Sequence, residues 1–174
     1  MRILGIDPGY AIVGYGVVDC ANNRFVPVGF GAITTKAGTP FGDRLSSIYH
    51  DMITVIKKYQ PEHLAIERLY FNTNQKTAID VAQARGVIVL AVEKSGIPLF
   101  EYTPLQVKQA IVGYGRAEKK QVMEMTRIFL HLDRVVKPDD AADALGLAIC
   151  HGNSSHSKLY GTKTIKDSKK TGGR

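Results

Sequence analysis

The residues best suited to chemistry are four acids set at the ends of apolar segments. Asp7 closes the run Ile3-Leu4-Gly5-Ile6 and is followed at once by Pro8-Gly9, and Glu67 closes Leu64-Ala65-Ile66 in the same manner. A turn at Asp-Pro-Gly would by itself explain Asp7, because strands often stop there. The repeat at Glu67 gives it company. If the two runs are neighbouring strands, both carboxylates emerge at one sheet edge, where the sites of α/β sheets are usually built. A third segment, Lys137-Pro138-Asp139-Asp140-Ala141-Ala142-Asp143-Ala144-Leu145, places Asp140 and Asp143 three apart and so on one face of a helix. Acids in a first helical turn are favoured by the macrodipole, which would account for Asp139 and Asp140 without any function. Asp143 sits deeper among alanines, where an unpartnered carboxylate is costly and a hard cation is a common compensation. Four acids from three elements could hold two Mg²⁺ or Mn²⁺ ions, which prefer oxygen ligands. Two such ions about 3.5–4 Å apart activate a water and stabilise the leaving oxygen in phosphodiester hydrolysis.

The elements that must position these acids are legible in the residue pattern. Arg2 to Asp7, Ala11 to Cys20 and Phe25 to Thr34 are rich in Val, Ile, Phe and Tyr and are separated by turns, which predicts an antiparallel meander. A helix is expected from about Asp43 to Tyr59, ended by Gln60-Pro61, then a buried strand from His63 to Glu67. A second helix runs from about Ala78 to Lys94, and the strand Ile97 to Tyr102 follows. Three more helices are expected. One is opened by Thr103-Pro104-Leu105-Gln106, with Pro at the first helical position and Gln where a capping box wants it. The others span about Ala117 to Leu130 and Pro138 to His151. A meander followed by strands alternating with helices implies an α/β mixed sheet with helices on both faces.

A chain of 174 residues without repeats predicts one domain, with a basic tail over residues 153–174. That tail carries most of the formal net charge of +7 and almost nothing apolar, a composition expected of disorder. No apolar window is long enough to span a membrane and no signal-peptide layout opens the chain, so a cytoplasmic protein is expected. Cys20 and Cys150, the two cysteines, lack metal-ligand spacing and are expected to be ordinary buried thiols.

Candidate DNA contacts must therefore come from the body of the chain. Lys108, Arg116, Lys119 and Lys120 cluster around the turn Gly113-Tyr114-Gly115. A solvated face would account for most charge runs, but Lys119 and Lys120 fall in the first turn of a helix, where the macrodipole disfavours cations. Tyr70 and Phe71, just past Glu67, are either core aromatics or a wedge that stacks on an opened base, an interaction worth about 1–3 kcal/mol. The helix from Ala78 to Lys94 carries small residues at Ala78, Ala82 and Gly86 and is apolar on nearly every side. Such a helix is expected to be buried on nearly every side, shared between the core and a second subunit.

Taken in order, GIDPGYAIVGYGVV, AIERLYFNTN, VAQARGVIVLA, FEYTPLQVKQAIVGYGRAEKKQV and PDDAADALGLAI resemble the RuvC family of bacterial Holliday junction resolvases over roughly residues 1–152. The resemblance implies a ribonuclease-H-like fold, a homodimer, Mg²⁺ dependence, paired cuts across a four-way DNA junction in recombination and repair, and cooperation with a branch-migration motor. By the matching motifs, the family's acids fall on Asp7, Glu67, Asp140 and Asp143, with the Asp140 position held by His in some members. Lysines of the family match Lys108, Lys119 and Lys120. Its members commonly carry Phe where this chain has Tyr70, which leaves the wedge between Tyr70 and Phe71. Two other functions fit parts of the pattern. A phosphotransferase of the actin and sugar-kinase type has a loop like Gly-Ile-Asp-Pro-Gly but needs two such lobes. A DNA-binding module without catalysis has no use for four converging acids.

Overall fold

The structure, a computed structural model, describes residues 1–22, 24–69 and 75–155. Five strands, β1 (Arg2–Asp7), β2 (Ile12–Ala21), β3 (Arg24–Thr34), β4 (His63–Glu67) and β5 (Leu99–Tyr102), form one sheet in the order β3-β2-β1-β4-β5. The β1–β2 and β2–β3 pairs are antiparallel, whereas β4 runs parallel to both β1 and β5. Five helices accompany it: α1 (Phe41–Tyr59), α2 (Gln75–Lys94), α3 (Pro104–Val112), α4 (Lys119–Phe129) and α5 (Asp139–Ser155).

The central strands are continuous apolar runs because both faces of the sheet are covered. Leu4, Ile6, Val13, Val17, Leu64 and Ile66 pack on one face against α1 and α2, through Ile48, Met52, Ile88 and Val92. Ile3, Val18, Ala65 and Phe100 pack on the other against α3, α4 and α5. The expected mixed sheet with helices on both faces is thus present, and the Cys20 and Cys150 thiols are buried.

Element ends lie within a turn of the sequence expectations. Helix α1 starts at Phe41, two residues early, where Pro40 needs no amide partner and Phe41 stacks on Tyr10 with ring centroids 5.1 Å apart. It ends as expected, with Gln60 in the left-handed region (φ 48°) donating its N–H to the Ile56 carbonyl. Helix α3 has the expected capping box: the Gln106 N–H donates to Thr103 Oγ1 at 3.1 Å, and the Thr103 N–H to Gln106 Oε1 at 2.9 Å. Helix α2 starts at Gln75 rather than Ala78, β5 at Leu99 rather than Ile97, and α4 at Lys119 rather than Ala117. Helix α5 runs on to Ser155, one turn past His151.

A buried polar chain ties the far end of α5 to the sheet. His151 Nδ1 is 2.7 Å from the Tyr102 hydroxyl, and His151 Nε2 is 2.8 Å from His63 Nδ1. Burial holds the His151 ring neutral, down at about 3, with the nearby His63 acting in the same direction. Among the described residues, no helix is long and apolar enough to cross a membrane.

Candidate active site

Strands β1 and β4 bring the first two acids together. Their parallel ladder closes at Ile6 and Ile66, so Asp7 and Glu67 stand one residue beyond it at the same sheet edge. Both point to the face covered by α5, because side chains alternate along a strand and Gly5 and Ala65, two residues earlier, face that helix.

The other two acids arrive on the first turns of α5, whose backbone lies directly on the sheet. A Cβ on Gly5 would stand 1.9 Å from the carbonyl oxygen of Ala144, and one on Gly14 would stand 2.0 Å from that of Asp140. Only side-chain-free positions permit so close an approach. Gly14 is the β2 partner of Asp7, so the same glycine brings Asp140 down beside the end of β1.

The electrostatics follow from this crowding. The Asp7 carboxyl is pushed up to about 8, first by burial and then by the charges of Glu67, Asp143 and Asp140, with Lys119 opposing. Burial also raises Glu67, aided by Asp143 and again opposed by Lys119. Lys119, the first residue of α4, places its Nζ 2.9 Å from Asp143 Oδ2 and 3.6 Å from Asp139 Oδ2. Asp143 therefore does have a partner. Folding has a use for the Lys119 cation despite its unfavourable place on the helix dipole, because two carboxylates of α5 receive it. Lys137 Nζ donates to Asp139 Oδ1 at 2.6 Å, which turns Asp139 toward the surface.

Among the described residues, no three His, Cys, Asp or Glu side chains stand close enough to hold a single ion in this arrangement. The donor chemistry nonetheless suits a hard divalent cation: carboxylate oxygens only, half-buried, mutually repelling and only partly offset by one ammonium.

A family model for the crossover junction endodeoxyribonuclease RuvC matches residues 3–151. The chain belongs to the RuvC family. The enzyme of that name from Caldanaerobacter subterraneus is 54% identical over 156 residues, covering 90% of this chain and 94% of its own. The one from Ruminiclostridium cellulolyticum is 56% identical over 154 residues, covering 88% and 93%. Among solved structures, Thermus thermophilus RuvC in complex with a Holliday junction substrate superposes with a TM-score of 0.85 at 28% identity, over 95% of this chain and all of that one. The fold is ribonuclease-H-like.

Of the RuvC-type DNA contacts expected from the sequence, Lys108 lies half-buried on α3, and Arg116 and Lys120 are exposed before and on α4. Lys119 is set apart from them by its ion pair with Asp143. Tyr70 and Phe71 lie outside the described residues. Within the single chain, helix α2 is buried on one side and open on the other. Ala84, Ile88, Ala91 and Val92 are buried, but Ile79 and Leu90 on the opposite face are 63% and 51% exposed. Ala78 and Ala82 are partly exposed near that face, and a Cβ on Gly86 would meet nothing within 4 Å. Sequence reasoning passes over Gly14 and Arg85. The alternation of Gly14 with Gly16 inside a strand is the available signal for close backbone approach, whereas nothing in the local sequence marks Arg85.

Proposed function

We propose that this chain resolves four-way DNA junctions by paired hydrolytic nicks, with Asp7, Glu67, Asp140 and Asp143 as its catalytic acids. The observation that carries the reading is the electrostatic coupling of carboxylates from β1, β4 and α5, in which Glu67, Asp143 and Asp140 all push Asp7 up and Asp143 pushes Glu67 up. Metal dependence goes with the family. In this proposal the four acids hold Mg²⁺, two ions per subunit with Mn²⁺ as a substitute, which when bound supplies Lewis acidity and an activated water. Asp7 and Glu67 are fixed at strand ends, and Asp140 and Asp143 on a helix pressed against the sheet, so rigid elements position all four acids. Lys119 offsets one of the four charges, and its ammonium is free to contact a phosphate oxygen when it leaves Asp143. Lys108, Arg116 and Lys120 bind the DNA backbone, and Tyr70 or Phe71 stacks on a base opened at the crossover.

The open apolar face of α2, with Ala78, Ala82 and Gly86 permitting close approach, is the proposed contact with a second copy. A twofold homodimer presents one acid cluster to each of two opposed strands of a junction, itself approximately twofold symmetric. Two matched nicks then leave ligatable duplexes. The protein works in the cytoplasm, beside a branch-migration motor.

The test is incubation with a synthetic four-way junction and with a linear duplex of the same sequence, with and without Mg²⁺. Metal-dependent cutting of the junction alone is expected. Equal cutting of the linear duplex, or full-rate cutting by Asp7→Asn, would overturn the reading.

A further inference from the structure

One charged pair on the face of the sheet away from α5 has no part in the function described so far. Arg85 of α2 and Glu101 of β5 form an ion pair with side chains only 18% and 31% exposed. Arg85 Nη2 engages Glu101 Oε1, while Arg85 Nε donates to the backbone carbonyl of Glu67 at 3.5 Å. The N–H of the same Glu67–Arg68 peptide donates to the Tyr102 carbonyl at 2.8 Å.

These contacts bear on one rigid unit. A peptide group is planar, so holding its carbonyl at one side and its N–H at the other fixes the plane. The plane contains the Cα and carbonyl carbon of Glu67, and these two atoms, with the Glu67 nitrogen, set the direction in which the side chain leaves the backbone. On the β1 side the ladder closes at Ile66 and leaves the Glu67 carbonyl to Arg85, while on the β5 side Glu67 is still paired with Tyr102. Glu101 completes the clamp. It is the β5 partner of Ile66, so it holds the guanidinium against the same sheet edge, on the opposite face from the acids.

We propose that Arg85, held by Glu101, is the positioning residue for Glu67, setting the reach of that carboxylate through its own backbone carbonyl. The proposal rests on the four-acid reading above. Arg85 meets the backbone carbonyl of Glu67 and acts on its carboxylate only through that carbonyl. Its planar fork serves two acceptors in two directions, which a lysine ammonium cannot do in the same geometry. Arg85 also lies next to Gly86 in sequence, so the clamp joins the helix that carries the open apolar face to the strand that carries Glu67.

Arg85→Lys separates positioning from simple anchorage, because it keeps the charge opposite Glu101 and removes the donor to Glu67. On a synthetic four-way junction with Mg²⁺, Arg85→Lys is expected to lower kcat on the order of tenfold to a hundredfold, the scale of a misplaced catalytic group. KM and the thermal unfolding midpoint should stay at the parent's values. Glu101→Gln, which loosens the guanidinium without removing it, should lower kcat in the same way but less. An Arg85→Lys variant with the parent's kcat would overturn the inference. So would one whose kcat, KM and midpoint all worsen together, the signature of a helix anchor. Glu67→Gln run alongside tells the two levels apart. If it still cuts, the site assignment fails and this inference with it; if it is inactive beside an unimpaired Arg85→Lys, the inference alone fails.

Discussion

Gly14→Ala tests whether the approach of α5 to the sheet makes the site. The new Cβ would stand 2.0 Å from the Asp140 carbonyl oxygen, 2.3 Å from its carbonyl carbon and 2.9 Å from its Cβ. Two of these atoms belong to helix backbone, which cannot rotate away as a side chain can. Relief requires the first turn of α5 to lift by roughly an ångström or to tilt about its buried alanines, since interiors are close-packed. Overpacking of this kind costs about 1–3 kcal/mol, which for a domain of this size lowers the unfolding midpoint by roughly 2–4 °C per kcal/mol. The effect on cutting should be larger than the effect on stability, because Asp140 itself moves and a displacement near 1 Å costs on the order of a hundredfold. Gly42→Ala is the control: it lies in α1, where an added Cβ would meet nothing within 4 Å, and should be neutral or stabilising. Thermal unfolding and single-turnover cutting of a four-way junction are the measurements. A Gly14→Ala protein with the parent's midpoint and the parent's rate would refute the idea that close backbone approach places Asp140.

Asp7→Asn should keep junction binding and abolish cutting, and it should also change the pH dependence of stability in chelator. Asp7 holds its proton up to about 8 when folded and only to the ordinary carboxylate range when unfolded, so stability falls as pH rises between those values, by about 1.4 kcal/mol per unit. His151, neutral down to about 3, has the opposite slope between 3 and the ordinary histidine range near 6.5, where falling pH favours the unfolded chain. The two slopes oppose each other at acid pH, and between about 6.5 and 8 the loss from Asp7, with Glu67 raised in the same direction, is no longer opposed by His151; denaturant midpoints that do not decline there in the parent, or that decline equally in Asp7→Asn, would contradict this. Lys120→Ala should lower the slope of log binding constant against log salt by roughly one, whereas Lys119→Ala should lower it less and should destabilise the metal-free protein, because its ammonium serves Asp143. Gly86→Glu, placing a charge on the open face of α2, should sediment as a monomer; a dimer of undiminished affinity would remove α2 from the interface.

Whatever depends on neighbours in the chain is legible in residue order. Alternating and continuous apolar runs specify five strands and five helices, because burial on one or both faces leaves a periodic trace. Thr103 and Gln106 announce a cap that forms through contacts three residues apart. The four acids stand out as acids at the ends of apolar elements, and a common edge for Asp7 and Glu67 follows once β1 and β4 are neighbours. What crosses between elements is settled only by packing. The descent of α5 onto Gly5 and Gly14 depends on atoms more than a hundred residues apart, and a glycine in a strand does not say which backbone will fill its space. Residue order marks Lys119 as a candidate DNA contact, and only the placing of α4 shows that it also pairs with Asp143. Arg85 is unremarkable inside an apolar helix until β4 and β5 lie beneath it. His63, His151 and Tyr102 show no ligand spacing because they form a buried hydrogen-bonded chain instead. In each case the energy resides in a through-space contact, and its strength is set by distance and burial, which residue order does not encode locally.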